Sequence, residues 1–264
     1  MEDVGVEDVT TNAIVPPEHR SGAKIVAKAA GVLAGHAYAR EVFRLLDKDI
    51  EYHERVSDGD TVSAGDIIAT IQGRTRAILT AERVALNILQ RLSGIATLTR
   101  TFVEAVSGTK SRILDTRKTT PGMRTMEKYA VTMGGGVNHR HNLTEMALVK
   151  ENHIAVAGSI ARAVELIRKL SNVPVEVEVR TMEELEKAVE VKVERIMLDN
   201  WDTESMRRAV AFVGGRVELE ASGNMTVERV SKVAATGVDF ISVGALTHSA
   251  RALDMSLLHE GVVT

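Results

Sequence analysis

The densest chemistry in the sequence lies between Asp115 and Lys150, where six Lys or Arg residues and two His stand against three acids. Arg grips carboxylate or phosphate through a planar fork, and Lys supplies a compact charge. Arg117, Lys118, His139, Arg140 and Lys150 are therefore candidates for a pocket that takes a small, multiply anionic molecule. Arg124 and Lys128 fall in what reads as an irregular segment and are expected to be solvated charges. Gly134-Gly135-Gly136 would permit a sharp turn or a close backbone approach, a weak signal by itself. Further along, Glu178 and Asp199 are carboxylates of the kind that hold Mg2+ with waters, or sugar hydroxyls; a general acid–base pair is the competing reading. Ser222-Gly223-Asn224 and Val243-Gly244-Ala245 could offer backbone N–H groups to a phosphate, or simply turn the chain.

What joins these residues is their place at the ends of apolar runs. The second part of the chain alternates strand and helix. Strands are expected at 112–114, 146–149, 173–179, 195–198, 217–219 and 240–243, with a weaker one before Asn138. Helices are expected at 159–170, 182–191, 203–213 and 227–235, one of them opened by a Thr181/Glu184 capping box. Strand ends recur about every twenty residues, the spacing of tight βα units,. No GxGxxG follows a first strand, so an incomplete, about seven-stranded parallel α/β barrel is favoured over an open dinucleotide-binding sheet. In such a barrel the carboxyl ends of the strands meet on one face. Taken singly, each polar residue there could be a surface charge; five or six strands ending this way in succession argue for a site. Glu176 and Glu178 are read as lying on opposite strand faces, so only one of the two is expected to face the pocket.

The first part, to about residue 105, reads as mixed α and β: a strand from Ser21, a helix over 38–46, short β runs around the Asp-Gly and Gly-Asp pairs of VSDGDTVSAGD, and a long helix from Thr80 carrying Val84, Ile88, Leu92, Ile95 and Leu98,. The β segment is similar to biotinyl and lipoyl carrier domains but lacks their modified Lys. Bulk composition narrows the function. Net charge is −3 over 264 residues, which argues against a nucleic-acid partner,. The chain has no Cys, which removes thiolate catalysis and disulfides and fits a reducing cytoplasm,. The first residues, MEDVGVEDVT, lack the pattern of a signal peptide, and no apolar run approaches the ~20 residues that span a bilayer, so no membrane association is expected.

Taken together and in order, DVTTNAI, ERVALNILQRLSGIAT, DTRKTTPGMR, GGGVNHRHNL, LVKENH, VEVEV, MLDN, EASGN and ISVGALTHS resemble the quinolinate phosphoribosyltransferase (carboxylating nicotinate-nucleotide pyrophosphorylase) family over nearly the whole chain. The resemblance implies an N-terminal α/β sandwich domain, 1–105 joined by the C-terminal segment 255–264, and an α/β barrel catalytic domain, 106–254. It implies phosphoribosyl transfer from phosphoribosyl pyrophosphate to quinolinate with loss of CO2, giving nicotinate mononucleotide in de novo NAD biosynthesis, with Mg2+ as cofactor. It also implies a homodimer in which Arg83 reaches the neighbouring site; read from the residues alone, Arg83 is only a charge near the start of an amphipathic helix. On this reading Arg83, Arg117, His139, Arg140 and Lys150 bind quinolinate. Lys118, Lys150, Glu178, Asp199, Ser222, Gly223, Asn224, Val243, Gly244 and Ala245 bind the phosphoribosyl donor, Lys118, Glu178 and Asp199 are catalytic, and Glu178 and Asp199 hold the metal directly or through water. His141 stands where the family varies and is not expected to be catalytic. The chain starts close to DVTT, so a leading helix is expected to be short. A paralogue using another anionic base, a non-decarboxylating nicotinate phosphoribosyltransferase and a non-catalytic carrier are the competing readings.

Overall fold

The computed structural model describes residues 2–260. In chain order the elements are α1 (Val9–Ile14), β1 (Arg20–Ala27), β2 (Gly31–Val32), α2 (His36–Leu46), β3 (Glu51–Glu54), β4 (Thr61–Val62), β5 (Ile67–Arg74), α3 (Thr75–Ala105), β6 (Arg112–Leu114), α4 (Arg124–Met133), β7 (Ala147–Val149), α5 (Glu151–Ala157), α6 (Ile160–Leu170), β8 (Val175–Val179), α7 (Met182–Glu190), β9 (Arg195–Asp199), α8 (Thr203–Val213), β10 (Glu218–Ser222), α9 (Val227–Ala234), β11 (Phe240–Ser242), α10 (Ala245–His248) and β12 (Met255–Glu260). The chain divides into two compact units: residues up to 100 with 129–135 and the stretch from 250 onward, and residues 101–128 with 136–249. The C-terminal segment read as 255–264 is described only to Glu260.

The first unit is built on an antiparallel sheet of order β12-β1-β5-β3, beside a small β2-β4 pair. The Asp-Gly and Gly-Asp punctuation folds as read: Gly59 and Gly65 take φ of 93° and 97°. Asp60 and Asp66 accept from the amides of Ser57 and Ser63 at 3.2 and 2.7 Å. Ile25, Ile68, Ile71, Phe43, Leu86 and Leu89 fill the core. The buried side of α3 matches the apolar spacing only in part: Leu92 and Ile95 are buried, together with Ala81, Ala85, Leu86, Leu89 and Ala96, whereas Val84, Ile88 and Leu98 are only half-buried. Gly134 packs close to the helix: a Cβ there would lie 2.4 Å from Ala96 O.

The second unit is a six-stranded, wholly parallel sheet of order β6-β11-β10-β9-β8-β7 with helices between the strands. The strand expected before Asn138 is reduced to one bridge, Val137 to Leu114. Four of the connecting helices start where a short polar residue caps them: Ser159, Thr181, Asp202 and Thr226 accept from the amides of Arg162, Glu184, Ser205 and Arg229,. Only half of the Thr181/Glu184 box forms; Glu184's carboxylate accepts instead from the Arg180 amide at 2.7 Å. On β8, Val175, Val177 and Val179 are fully buried on one side. Glu176 and Glu178, two residues apart, share the other side, since strand side chains alternate with a period of two. The reading that placed these glutamates on opposite faces is therefore corrected: both face inward, Glu178 at the carboxyl end and Glu176 one layer deeper.

The segment read as irregular is helical, α4, and its cations are not solvated. Lys128 is 0% exposed and so is its partner Asp115, with Nζ 2.5 Å from Oδ1. Lys128 also donates to His139 O at 2.8 Å, and Asp115 accepts from the His139 amide at 2.8 Å. With its amide turned to donate, Asn138 reaches Lys128 O at 3.0 Å and Asp115 Oδ2 at 2.6 Å. Burial pushes Asp115 up and Lys128 down, and each charge offsets the shift in the other. Arg124 is half-buried and braces the preceding loop through Thr119 Oγ1 at 3.0 Å and His141 O at 3.1 Å. Removing one member of a buried, hydrogen-bonded pair strands the other charge. Lys128→Met should therefore lose ~3–5 kcal/mol of unfolding free energy in urea, and the double replacement Asp115→Asn/Lys128→Met should recover much of it. A single variant within about 1 kcal/mol of wild type would show that the pair does not hold this region.

Candidate functional site

A cleft of about 590 Å3 opens at the carboxyl ends of the parallel strands. Every residue lining it belongs to the second unit. Arg117, Lys118, His139, Arg140, Lys150, Glu178, Asp199, Ser222, Gly223, Asn224, Gly244 and Ala245 are all among them. The strands deliver them in turn: the loop after β6, the segment after the Val137 bridge, the first residue after β7, then the ends of β8, β9 and β10 and the turn after β11. Val243 does not line the cleft; its side chain is buried at 1% exposure, leaving only its backbone to serve there. Arg83 lies exposed on α3 in the first unit.

The cations sit toward solvent and the carboxylates lie under them. Arg117 and Lys118 are exposed, and among the described residues their charged ends make no hydrogen bond or ion pair, leaving them free for an anion. Arg140 is half-buried, anchored to Met146 O at 2.8 Å. Its pKa is lowered by burial and then by the neighbouring Arg117 charge,. Lys150 Nζ lies 3.2 Å from Glu178, whose side chain is only 10% exposed. Asp199 accepts from Asn200 Nδ2 at 3.0 Å.

The sequence reading missed the layer beneath. Glu176 and Glu220 are both fully buried, each 0% exposed. His139 Nε2 lies 3.0 Å from Glu176 Oε2 and 3.3 Å from Glu220 Oε2. Arg195 Nη1 is 3.5 Å from Glu220, and its guanidinium lies 4.1 Å from the centroid of the Phe240 ring. Two carboxylates against one arginine favour an extra proton. Burial and then the Glu220 charge push Glu176 up to about 7. Burial lowers His139, and its hydrogen bonds to the two glutamates raise it. The Arg140 amide, 2.9 Å from Nδ1, decides for the neutral ring, because a protonated Nδ1 would offer it no lone pair,. A charged residue inside an apolar strand was the visible signal for both glutamates, in VEVEV and in ELEAS. His248, Thr116 and Asn200 also line the cleft without having been singled out.

Comparison with known proteins agrees with this geometry. The description "Quinolinate phosphoribosyl transferase, N-terminal domain" matches residues 8–93, and "Quinolinate phosphoribosyl transferase, C-terminal domain" matches residues 95–258. The chain belongs to the quinolinate phosphoribosyltransferase family. A relative from Synechocystis sp., described as a probable nicotinate-nucleotide pyrophosphorylase [carboxylating], is 43% identical over 97% of this chain and 88% of its own length. One of the same description from Bacillus subtilis is 42% identical over 97% and 89%. The crystal structure of NadC from Streptococcus pyogenes superposes with a TM-score of 0.94 at 42% identity, covering 98% of this chain and 94% of that one. No helix among the described residues is long and apolar enough to cross a membrane.

Within this family fold, the 222–224 turn is unusually constrained. Gly223 has φ of 100°, and a Cβ there would meet Asn200 Oδ1 at 2.1 Å. Asn200 and Asn224 themselves take positive φ, 60° and 48°. Gly223→Ala should therefore push Asn200 aside and open the turn, costing on the order of 1–3 kcal/mol of stability or ligand binding. Thermal unfolding together with titration of a phosphorylated ligand measures it; an unchanged pair of values would mean that the turn adapts freely.

Proposed function

We propose that this chain transfers the phosphoribosyl group of phosphoribosyl pyrophosphate to quinolinate, releasing pyrophosphate and CO2 and yielding nicotinate mononucleotide, as in de novo NAD synthesis. The observation that carries this reading is the cleft itself, in which unpaired cations face a pair of inward carboxylates at the strand ends of a family fold. Quinolinate brings two adjacent carboxylates, which Arg117, Arg140 and Lys150 are placed to meet. Lys118 and Lys150 face the donor's phosphates, and the turns at 222–224 and 243–245 take its 5′-phosphate through backbone amides. Glu178 and Asp199 orient the ribose hydroxyls. They also form the all-oxygen donor set that suits Mg2+, which binds proteins through one or two carboxylates plus substrate phosphates. When bound, Mg2+ would supply charge neutralisation at the pyrophosphate.

The chain's own part is positioning and field. As the bond to pyrophosphate lengthens, positive charge builds on the ribose carbon, and the carboxylates of Glu178 and Asp199, both in the cleft lining, supply the opposite charge,. The pyridine nitrogen attacks, so no nucleophilic side chain is required. Once the ring nitrogen is quaternary, the neighbouring carboxylate can leave as CO2; the electron pair left on the ring carbon is stabilised by the adjacent cation and then takes a proton from water. We further propose a homodimer in which Arg83 of the partner subunit completes the dicarboxylate face; its exposure and its absence from the lining of the cleft support that reading.

The protein should release CO2 from quinolinate only when phosphoribosyl pyrophosphate and Mg2+ are both present, and chelation should abolish release. Turnover of nicotinate in place of quinolinate would overturn the assignment. Arg140→Ala should lower kcat/KM for quinolinate by the equivalent of ~2–4 kcal/mol, since it leaves a substrate carboxylate unpaired. Mixing inactive Arg83→Ala and Lys150→Ala subunits should restore part of the activity. Confirmed hybrids without recovery would mean that each site is built from one chain.

A further inference from the structure

His139 has no polar atom to spare. Its backbone amide donates to Asp115 Oδ1 at 2.8 Å, and its carbonyl accepts from Lys128 Nζ at 2.8 Å. Its ring Nε2 faces Glu176 at 3.0 Å and Glu220 at 3.3 Å. Its ring Nδ1 accepts from the backbone N–H of Arg140 at 2.9 Å. The residue is 7% exposed, and both glutamates are fully buried. An imidazole has two nitrogens, and here both are committed within the protein. To pair a substrate carboxylate through Nε2, the ring would have to abandon two buried carboxylates. To pair one through Nδ1, it would have to take up a second proton and release the Arg140 amide.

The same geometry shows what the ring does. Arg140 is held from two sides, its backbone by His139 Nδ1 and its guanidinium by Met146 O at 2.8 Å. The imidazole is in turn fixed by side chains from β8 and β10, which flank β9 on its two sides. Glu220 is itself steadied by Arg195, which also pairs with Glu218 at 3.0 Å. Buried hydrogen-bonded groups of this kind hold the groups above them in one orientation.

We propose that His139 is a positioning residue rather than a contact for the dicarboxylate: Glu176 and Glu220 lock its ring from below, and the ring sets the backbone, and so the aim, of Arg140. This rests on the reading of Arg140 as a quinolinate ligand. It departs from the expectation that His139 itself pairs with a substrate carboxylate.

Two measurements test it. Nitrogen NMR of histidine-labelled protein, assigned with His139→Gln, should show His139 as the neutral tautomer protonated at Nε2, unchanged when quinolinate is added to saturation. An imidazolium, an Nδ1-protonated ring, or a change on adding quinolinate would overturn the proposal. This readout needs no turnover, so it stands or fails separately from the proposed reaction. The second is a double-mutant cycle on the KM for quinolinate. His139→Gln should raise that KM about tenfold in the wild-type background but less than about twofold in Arg140→Ala, with the KM of the phosphoribosyl donor little changed in either. Equal losses in both backgrounds would mean that His139 touches quinolinate directly. Glu220→Gln, which preserves shape, should reproduce the quinolinate-specific rise in KM. A Glu220→Gln variant that bound both substrates normally would remove the lower layer from the arrangement.

Discussion

The cleft depends on a buried ion pair that is not part of its lining. Asp115 directly follows β6, the first strand of the second unit, and Lys128 lies on α4, the helix that comes next. Their contact also captures both backbone groups of His139. The strand ladder contributes little there, since Val137 makes only a single bridge to β6. A full strand would have fixed His139 and Arg140 through a ladder of backbone hydrogen bonds. Here two charged side chains and Asn138 take over that task. The cost of burying the charges is offset only because their hydrogen-bonding capacity is so largely used.

Above this pair the site is layered by charge. Exposed Arg117 and Lys118, half-buried Arg140 and the solvent-facing end of Lys150 form an upper cationic tier. Glu178 and Asp199 form a tier at the strand ends, and Glu176, Glu220 and Arg195 lie beneath. Cations left near solvent keep their hydration until an anion replaces it, whereas the lower carboxylates face His139 and Arg195 within the protein,. The order follows from the parallel strands: residues at the last position of a strand reach the cleft, and residues two positions earlier on the same face lie one layer down.

Much of this architecture was legible in the residues. The alternation of apolar runs with capped amphipathic helices located five of the parallel strands and four of the connecting helices closely, and the polar strand ends named most of the cleft lining. Three features were read differently, for physical reasons. The run from 124 is rich in charge, yet Arg124, Glu127 and Lys128 bond to Thr119, Thr120 and Asp115 respectively and so belong to a packed helix. On α3, Val84, Ile88 and Leu98 of the apolar stripe stay half-buried while Leu86 and Leu89, off that stripe, are buried, because the helix face that meets the core is set by its neighbours in space. The glutamates of VEVEV were assigned to opposite faces, although the strand period puts both inside.

The sequence by itself determined the fold class, the family motifs and the net excess of cations between Asp115 and Lys150, because these rest on residue type, local periodicity and order along the chain. Tertiary structure alone decided which of those cations are available. It withdrew Lys128 into a buried pair and left Arg117 and Lys118 free. It also brought Glu220, distant in sequence, under His139 and closed both ring nitrogens of that histidine. Such assignments depend on which strands become neighbours and at what depth each side chain lies, and no spacing along one chain encodes that directly.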